Sequence, residues 1–202
     1  MCEECQGQIA YVEPPFCARC GNTVFTTDLC PRCQTNPLQI DRIRSVVYFE
    51  GVLREALHHF KYDQLTALAR PLGDLLATYW RQHPMPVDVI VPVPLHKTRL
   101  RERGYNQAAL LAREMARQVG VAVDERTLLR QRSTAPQVEL DITQRKKNVQ
   151  GAFRCSSDAL AGQRVLLIDD VCTTGATLEA CAVAAREGGA HTVWALTLAR
   201  AR

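Results

Sequence analysis

Apolar positions recur along this chain at two periods. Val165-Leu-Leu-Ile168 is a continuous aliphatic run, as expected of a strand buried on both faces, and Leu178-Glu-Ala-Cys-Ala-Val-Ala-Ala185 carries its apolar residues at helical spacing. The pattern predicts strands at Ser45–Glu50, Val87–Pro94, Val165–Ile168 and Thr192–Leu198. It predicts amphipathic helices at Val52–Tyr62, Leu65–Trp80, about Asn106–Val119 and Leu178–Glu187. Prolines close the second strand, Gly120 ends the third helix, and Gly188-Gly189 stops the fourth. Strands alternating with helices imply an α/β fold with a mostly parallel sheet covered by helices on both faces. Ligands of such sheets bind at strand carboxyl ends, beside a topological switch point. Two stretches fall at such ends, 93–104 and 169–177, and 134–153 reads as a mobile hairpin able to fold over a ligand.

The 202 residues have room for one full α/β domain and a small appendage. Hydrophobic residues make up 47% and charged residues 23%, ordinary values for a globular chain. No apolar run is long enough to span a bilayer, and Met-Cys-Glu-Glu-Cys at the N-terminus lacks the basic and apolar regions of a signal peptide. The expectation is a cytoplasmic protein without membrane insertion. Its net charge of +4 is too mild to demand a nucleic-acid partner. The charge is uneven, however. Residues 1–40 carry four acids against two bases, so the basic excess lies in the larger remainder.

Six of the nine cysteines fall in the first 33 residues, as the pairs Cys2/Cys5, Cys17/Cys20 and Cys30/Cys33. In a reducing compartment such pairs are metal ligands sooner than disulfides, and two pairs around a short loop supply four thiolates to a tetrahedral Zn²⁺. Cys17, Cys20, Cys30 and Cys33 are the expected site. Cys2 and Cys5 then read as half of a second site whose other half would lie upstream of Met1. Cys155, Cys172 and Cys181 lack metal spacing and read as packing residues. His58 and His59 are assigned no role.

The sharpest chemistry lies where the aliphatic run meets Asp169-Asp170-Val-Cys-Thr-Thr-Gly-Ala-Thr177 and a helix follows. A helix N-terminus offers free N–H groups and the positive end of the dipole to an anion. Gly175 lets the backbone close on it, and the hydroxyls of Thr173, Thr174 and Thr177 can add donors. Carboxylates cannot hold phosphate, but they suit ribose hydroxyls or a phosphate-bound Mg²⁺. Together these groups point to a sugar phosphate. Opposite them, the loop after the second strand carries Lys97, Arg99, Arg101 and Arg103 against Glu102, a second candidate anion site.

Residues 165–177 resemble the phosphoribosyl-pyrophosphate (PRPP) signature of type I phosphoribosyltransferases. The resemblance implies that Asp169 and Asp170 take the ribose hydroxyls. It also implies that Val171, Cys172, Thr173, Thr174, Gly175, Ala176 and Thr177 hold the 5-phosphate, with Mg²⁺ accompanying PRPP. Cys172 departs from the usual aliphatic residue. Val91-Pro-Val-Pro-Leu, Arg103-Gly-Tyr-Asn-Gln107, Thr134-x-x-Gln137 and Arg145-x-x-Asn148-Val-x-Gly151-Ala-Phe153, taken with the cysteine pairs, resemble the ComF family of competence and DNA-uptake proteins. That family joins a cysteine-rich zinc ribbon to a phosphoribosyltransferase-like domain, which implies a zinc module at 1–38 and the larger domain at 39–202. It usually has four cysteine pairs where this chain has three. The basic groups Lys97, Arg99, Arg101 and Arg103, with Gln137, Arg145, Lys146 and Lys147 of the hairpin, are the expected contacts for pyrophosphate or single-stranded DNA. A DNA-translocating helicase and recombination mediators are the partners the resemblance implies. Two functions follow: a DNA-uptake component with a phosphosugar pocket, or an active phosphoribosyltransferase that displaces pyrophosphate with a nitrogen acceptor.

Overall fold

The computed structural model describes residues 2–25, 28–133, 144 and 148–202. Its centre is a sheet of five parallel strands: β1 (Arg42–Tyr48), β2 (Val89–Pro92), β3 (Ala122–Val123), β6 (Arg164–Cys172) and β7 (Thr192–Arg200). Their order is β1-β7-β6-β2-β3, while β4 (Leu128–Arg130) and β5 (Phe153–Cys155) form a separate antiparallel pair. The chain leaves β2 towards β3 on one side and leaves β6 towards β7 and β1 on the other. The gap between β2 and β6 is therefore the switch point of the sheet, and the loops that follow these two strands open around a crevice.

Both faces of the sheet are covered. Along β6, Val165 and Leu167 pack into one core with Leu178, Cys181, Ala182 and Ala185 of helix α7 (Ala176–Glu187). Leu166 and Ile168 point the other way, into a core built by α3 (Gly51–Tyr62), α4 (Ala69–Gln82) and α6 (Gln107–Val119). Those helices contribute Leu57 and Phe60, Leu72 and Leu76, and Leu111 and Met115, each set at helical spacing. Burial of each such side chain is worth roughly 1.5–3 kcal/mol. The two-sided core explains why β6 is aliphatic at every position from 165 to 168.

Three expectations need correction. β1 runs over Arg42–Tyr48, earlier than the predicted 45–50, because residues 42–44 pair with Trp194–Leu196 of β7. β6 continues past Ile168 to Cys172, so Asp169 and Asp170 lie within the strand; Asp169 pairs with Thr197 and Cys172 with Arg200. The basic stretch after β2 is not a loop but helix α5 (Lys97–Arg103). His96 caps its start by accepting from Thr98 N–H, and left-handed Gly104 (φ 83°) closes its end. Most of the predicted hairpin lies outside the described residues. Its base is the β4–β5 pair, where Arg132 donates to the carbonyls of Asn148 and Gln150.

The N-terminal segment, with α1 (Glu3–Gly7) and α2 (Pro31–Thr35), lies along β1 and the end of β7. Tyr11 bridges to Val47, Ile43 N–H donates to Arg19 O, and Arg200 donates to Cys20 O and Gly21 O. Among the described residues, no helix is long and apolar enough to cross a membrane.

Helices α4 and α6 touch most closely at Gly73, where an added Cβ would lie 2.4 Å from Glu114 Cβ. Helix propensity alone would favour alanine by about 1 kcal/mol. Overpacking at such a contact costs about 1–3 kcal/mol. Gly73→Ala is therefore expected to lower the thermal unfolding midpoint by a few degrees; a raised midpoint would show that the two helices part freely.

Candidate functional site

A cleft of about 520 Å³ opens between the ends of β2 and β6. Asp169, Asp170 and Val171 come from β6, Thr177 from the first turn of α7, Arg99 and Arg103 from α5, and Asn106, Gln107 and Ala108 from the cap and start of α6. Helical geometry decides which bases face it. Arg99 and Arg103 are four residues apart and share a face, with Glu102 beside them. Lys97 lines a neighbouring groove instead, and Arg101 is exposed and lines neither. Gln137, Arg145, Lys146 and Lys147 lie outside the described residues.

The two acids differ in their surroundings. Asp170 is buried and pairs with Lys61 Nζ at 2.9 Å, and its N–H donates to Asp169 Oδ1 at 2.9 Å. Burial, followed by the charge of Asp170, pushes the Asp169 carboxyl up to about 7; the Asp170 N–H, Lys61 and Arg130 oppose that rise. The Arg130 guanidinium, at the end of β4, stands over the Phe153 ring at 5.4 Å. Burial and the nearby Arg99 both hold its pKa below the ordinary guanidinium value. Two guanidiniums drawn together in a half-buried cleft make a place for an anion.

Beyond the acids, Gly175 takes φ 77° as it starts α7, and Thr174 Oγ1 accepts from Ala176 N–H at 3.3 Å. Thr173 is exposed, and Thr174 and Gly175 are half-buried. Cys172 is buried beneath this turn, close to Gly175, and burial pushes its thiol up to about 11. A thiol at this position packs as a small hydrophobe.

Sequence reasoning missed Lys61 and Arg130 of the cleft, and gave no site role to Asn106 and Gln107, although both stand in the Arg103–Gln107 block. Asn106 caps α6 by accepting from Ala108 N–H and anchors to Val93 O through its own amide. Gln107 is 2% exposed, and its Nε2 has no hydrogen-bond partner among the described residues. A buried donor lining a cleft without a partner fits a polar ligand. One signal was readable: Gln107 shares the buried stripe of Ala108, Leu111, Ala112 and Met115. Lys61 ends α3, where its charge looks like any solvated helix face.

Away from the cleft, Cys17, Cys20, Cys30 and Cys33 are all buried, and their sulfurs lie within 4.8 Å of one another. Burial raises the Cys17 thiol, yet N–H groups of Cys30, Cys20 and Arg19 outweigh it and bring the thiol down to about 6. Burial and the Cys17 charge push Cys20 up to about 11. Four buried sulfurs gathered without a counter-charge fit a bound cation, so this cluster can hold a structural metal. Cys2, at the cap of α1, and Cys5, within it, join no such group among the described residues.

Comparison with known proteins gives these sites a context. A model of the phosphoribosyl transferase domain matches residues 104–202, the part that supplies β6, the turn after it and α7. The class is therefore a phosphoribosyltransferase-type α/β fold preceded by a cysteine cluster. The chain is 35% identical to "DNA utilization protein YhgH" of Salmonella typhi, over 92% of this chain and 84% of that one. It is 30% identical to "Competence protein F" of Haemophilus influenzae, over 100% and 90% of the two chains. With "Competence protein ComFC" of Bacillus subtilis the identity is 29%, over 99% and 84%. The chain belongs to the ComF family of competence and DNA-utilization proteins.

Proposed function

We propose that this protein serves DNA uptake and utilization in the cytoplasm through a PRPP-type phosphosugar pocket formed by residues 39–202, with residues 1–38 as a zinc module. The observation that carries the pocket is the convergence in one cleft of the paired acids, Thr177 from the first turn of α7, and Arg99, Arg103 and Arg130. Asp169 and Asp170 accept from the ribose hydroxyls and 173–177 donate to the 5-phosphate. The guanidiniums and the Gln107 amide meet the pyrophosphate, which arrives with its Mg²⁺. For zinc, the support is the buried four-thiol set and the 3.7 Å between the Cys20 and Cys30 sulfurs. A tetrahedron with Zn–S of about 2.3 Å has an edge of about 3.8 Å.

A second ligand, single-stranded DNA, is favoured by the adjoining groove of about 720 Å³, which Lys97, Arg130 and Arg154 line beside Tyr105. It shares Leu95, Asn106 and Arg130 with the cleft. Cations and an aromatic ring along a groove suit a phosphate backbone and its bases. The helicase and mediator partners of DNA uptake belong to this reading.

Calorimetric titration of magnesium-PRPP tests the pocket. PRPP is expected to bind the unmutated chain. Arg99→Glu should weaken it at least about tenfold, the loss of one charge-assisted contact. Arg101→Glu should leave it within about twofold. No binding to the unmutated chain, or equal losses in both variants, rejects the assignment. Pyrophosphate release with a panel of bases and amines decides between turnover and binding alone.

A further inference from the structure

The turn that starts α7 is held from behind by the cysteine-bearing end of the chain. Arg32, in the turn between Cys30 and Cys33, donates from Nη1 to Thr174 O at 2.9 Å. The Glu179 carboxylate, in the first turn of α7, accepts the N–H groups of Gln39 (2.8 Å) and Ile40 (3.1 Å), just past the cluster. Gly175 backs onto Ile43, whose Cδ1 would lie 3.2 Å from an added Cβ, and Ile43 N–H is bound to Arg19 O between Cys17 and Cys20. The 30–33 turn thus reaches the loop directly through Arg32, and the 17–20 turn reaches it only through Ile43.

We infer that Arg32 is a positioning residue for the phosphate loop, and that it couples metal binding at Cys17, Cys20, Cys30 and Cys33 to anion binding at 173–177. The metal holds the 30–33 turn in shape, and that turn holds the Thr174 carbonyl. Because the peptide is planar and trans, fixing that carbonyl also fixes the direction of the Gly175 N–H at the start of α7. A loop fixed before its ligand arrives pays less ordering entropy on binding. Linkage makes the effect reciprocal: an anion that holds the loop must also tighten metal binding by the same factor. The inference about loop order stands on geometry; its anion arm rests on the phosphosugar reading above.

The test uses the full chain loaded with zinc. Hydrogen exchange of peptides covering 173–177 is compared between the unmutated chain, Arg32→Ala and Arg32→Lys, each at equal measured zinc content. Arg32→Ala is expected to speed exchange there about tenfold, the loss of one charged hydrogen bond, and Arg32→Lys to restore part of the protection. Unchanged exchange in Arg32→Ala overturns the proposal, as does a lysine variant no slower than alanine. The second measurement needs no variant. Zinc affinity is measured by equilibrium competition with a chelator, with and without saturating ribose 5-phosphate, and is expected to be at least about threefold tighter with it. Equal affinities when calorimetry shows the sugar phosphate bound overturn the coupling. Failure of ribose 5-phosphate to bind at all, with exchange still dependent on Arg32, sinks the phosphosugar reading instead and leaves the positioning role standing.

Discussion

Replacing both cleft acids, Asp169→Asn with Asp170→Asn, is expected to lower phosphosugar affinity at least about 100-fold while the chain stays folded. Each acid offers ribose a charge-assisted hydrogen bond worth about 1.5–3 kcal/mol, and two of them amount to roughly two decades or more in Kd. Asparagine keeps an acceptor oxygen but removes the charge, and Lys61 loses the partner it has at 2.9 Å. Titration of ribose 5-phosphate and PRPP reads the effect; an affinity kept within threefold would remove the acids from the site. The single variants separate their roles. Asp169 holds its proton up to about 7 because it is buried beside Asp170. Its folded-state pKa is raised above the ordinary 3.8, so its contribution to stability is complete below that value and is lost as pH climbs through about 7. The thermal midpoint of the unmutated chain should therefore fall between pH 5 and pH 8, and Asp169→Asn should flatten that fall. Binding runs the opposite way, because ribose hydroxyls need the ionised acid, and affinity should rise over the same interval. A midpoint that rises with pH in the unmutated chain and not in Asp169→Asn would reverse the assignment.

Legibility of the fold followed the range of the forces involved. Helices α3, α4, α6 and α7 and the core of β6 were readable because each buries one stripe or one run, and periodicity is local. The extension of β6 through Asp169 to Cys172 was not readable. Adjacent acids ordinarily end a strand, and the partners that hold them in the ladder, Thr197 and Arg200, come from β7. Helix α5 was concealed because none of its residues is buried, which leaves no apolar stripe; Gly104 was its one visible sign. In the cleft, Asp169 to Thr177 stood out as contiguous chemistry. Lys61 and Arg130 come from distant segments and meet the acids only once α3 and β4 have packed, so no local pattern marks them. The link from Arg32 to Thr174 spans 142 residues and is invisible for the same reason.

Stripping the metal, or making Cys17→Ser with Cys33→Ser, is expected to lower the thermal midpoint by at least about 10 °C. The sulfurs are buried and mutually close, so without a cation they must be reprotonated or pushed apart. The damage does not stop at the cluster. Arg200, 3% exposed at the end of β7, donates to Cys20 O (3.3 Å), to Gly21 O (2.6 Å) and to Asn22 Oδ1. Arg44 of β1 donates to Ala18 O at 3.1 Å, and Ile43 N–H to Arg19 O at 2.7 Å. When residues 17–22 lose their shape, a buried guanidinium loses its acceptors, a defect that costs about 3–5 kcal/mol. For a domain of this size each kcal/mol moves the midpoint by about 2–4 °C, so that defect alone brings about 6–20 °C, to which the disrupted cluster adds. Cys2→Ser with Cys5→Ser is the control: they lie at the cap and within α1, outside the cluster, and the midpoint should move by less than about 2 °C. Calorimetry paired with metal analysis decides the matter. One zinc per chain with a large drop on chelation supports a structural site, whereas a metal-free chain with an unchanged midpoint would mean that β1 and β7 hold the cysteine module without any ion.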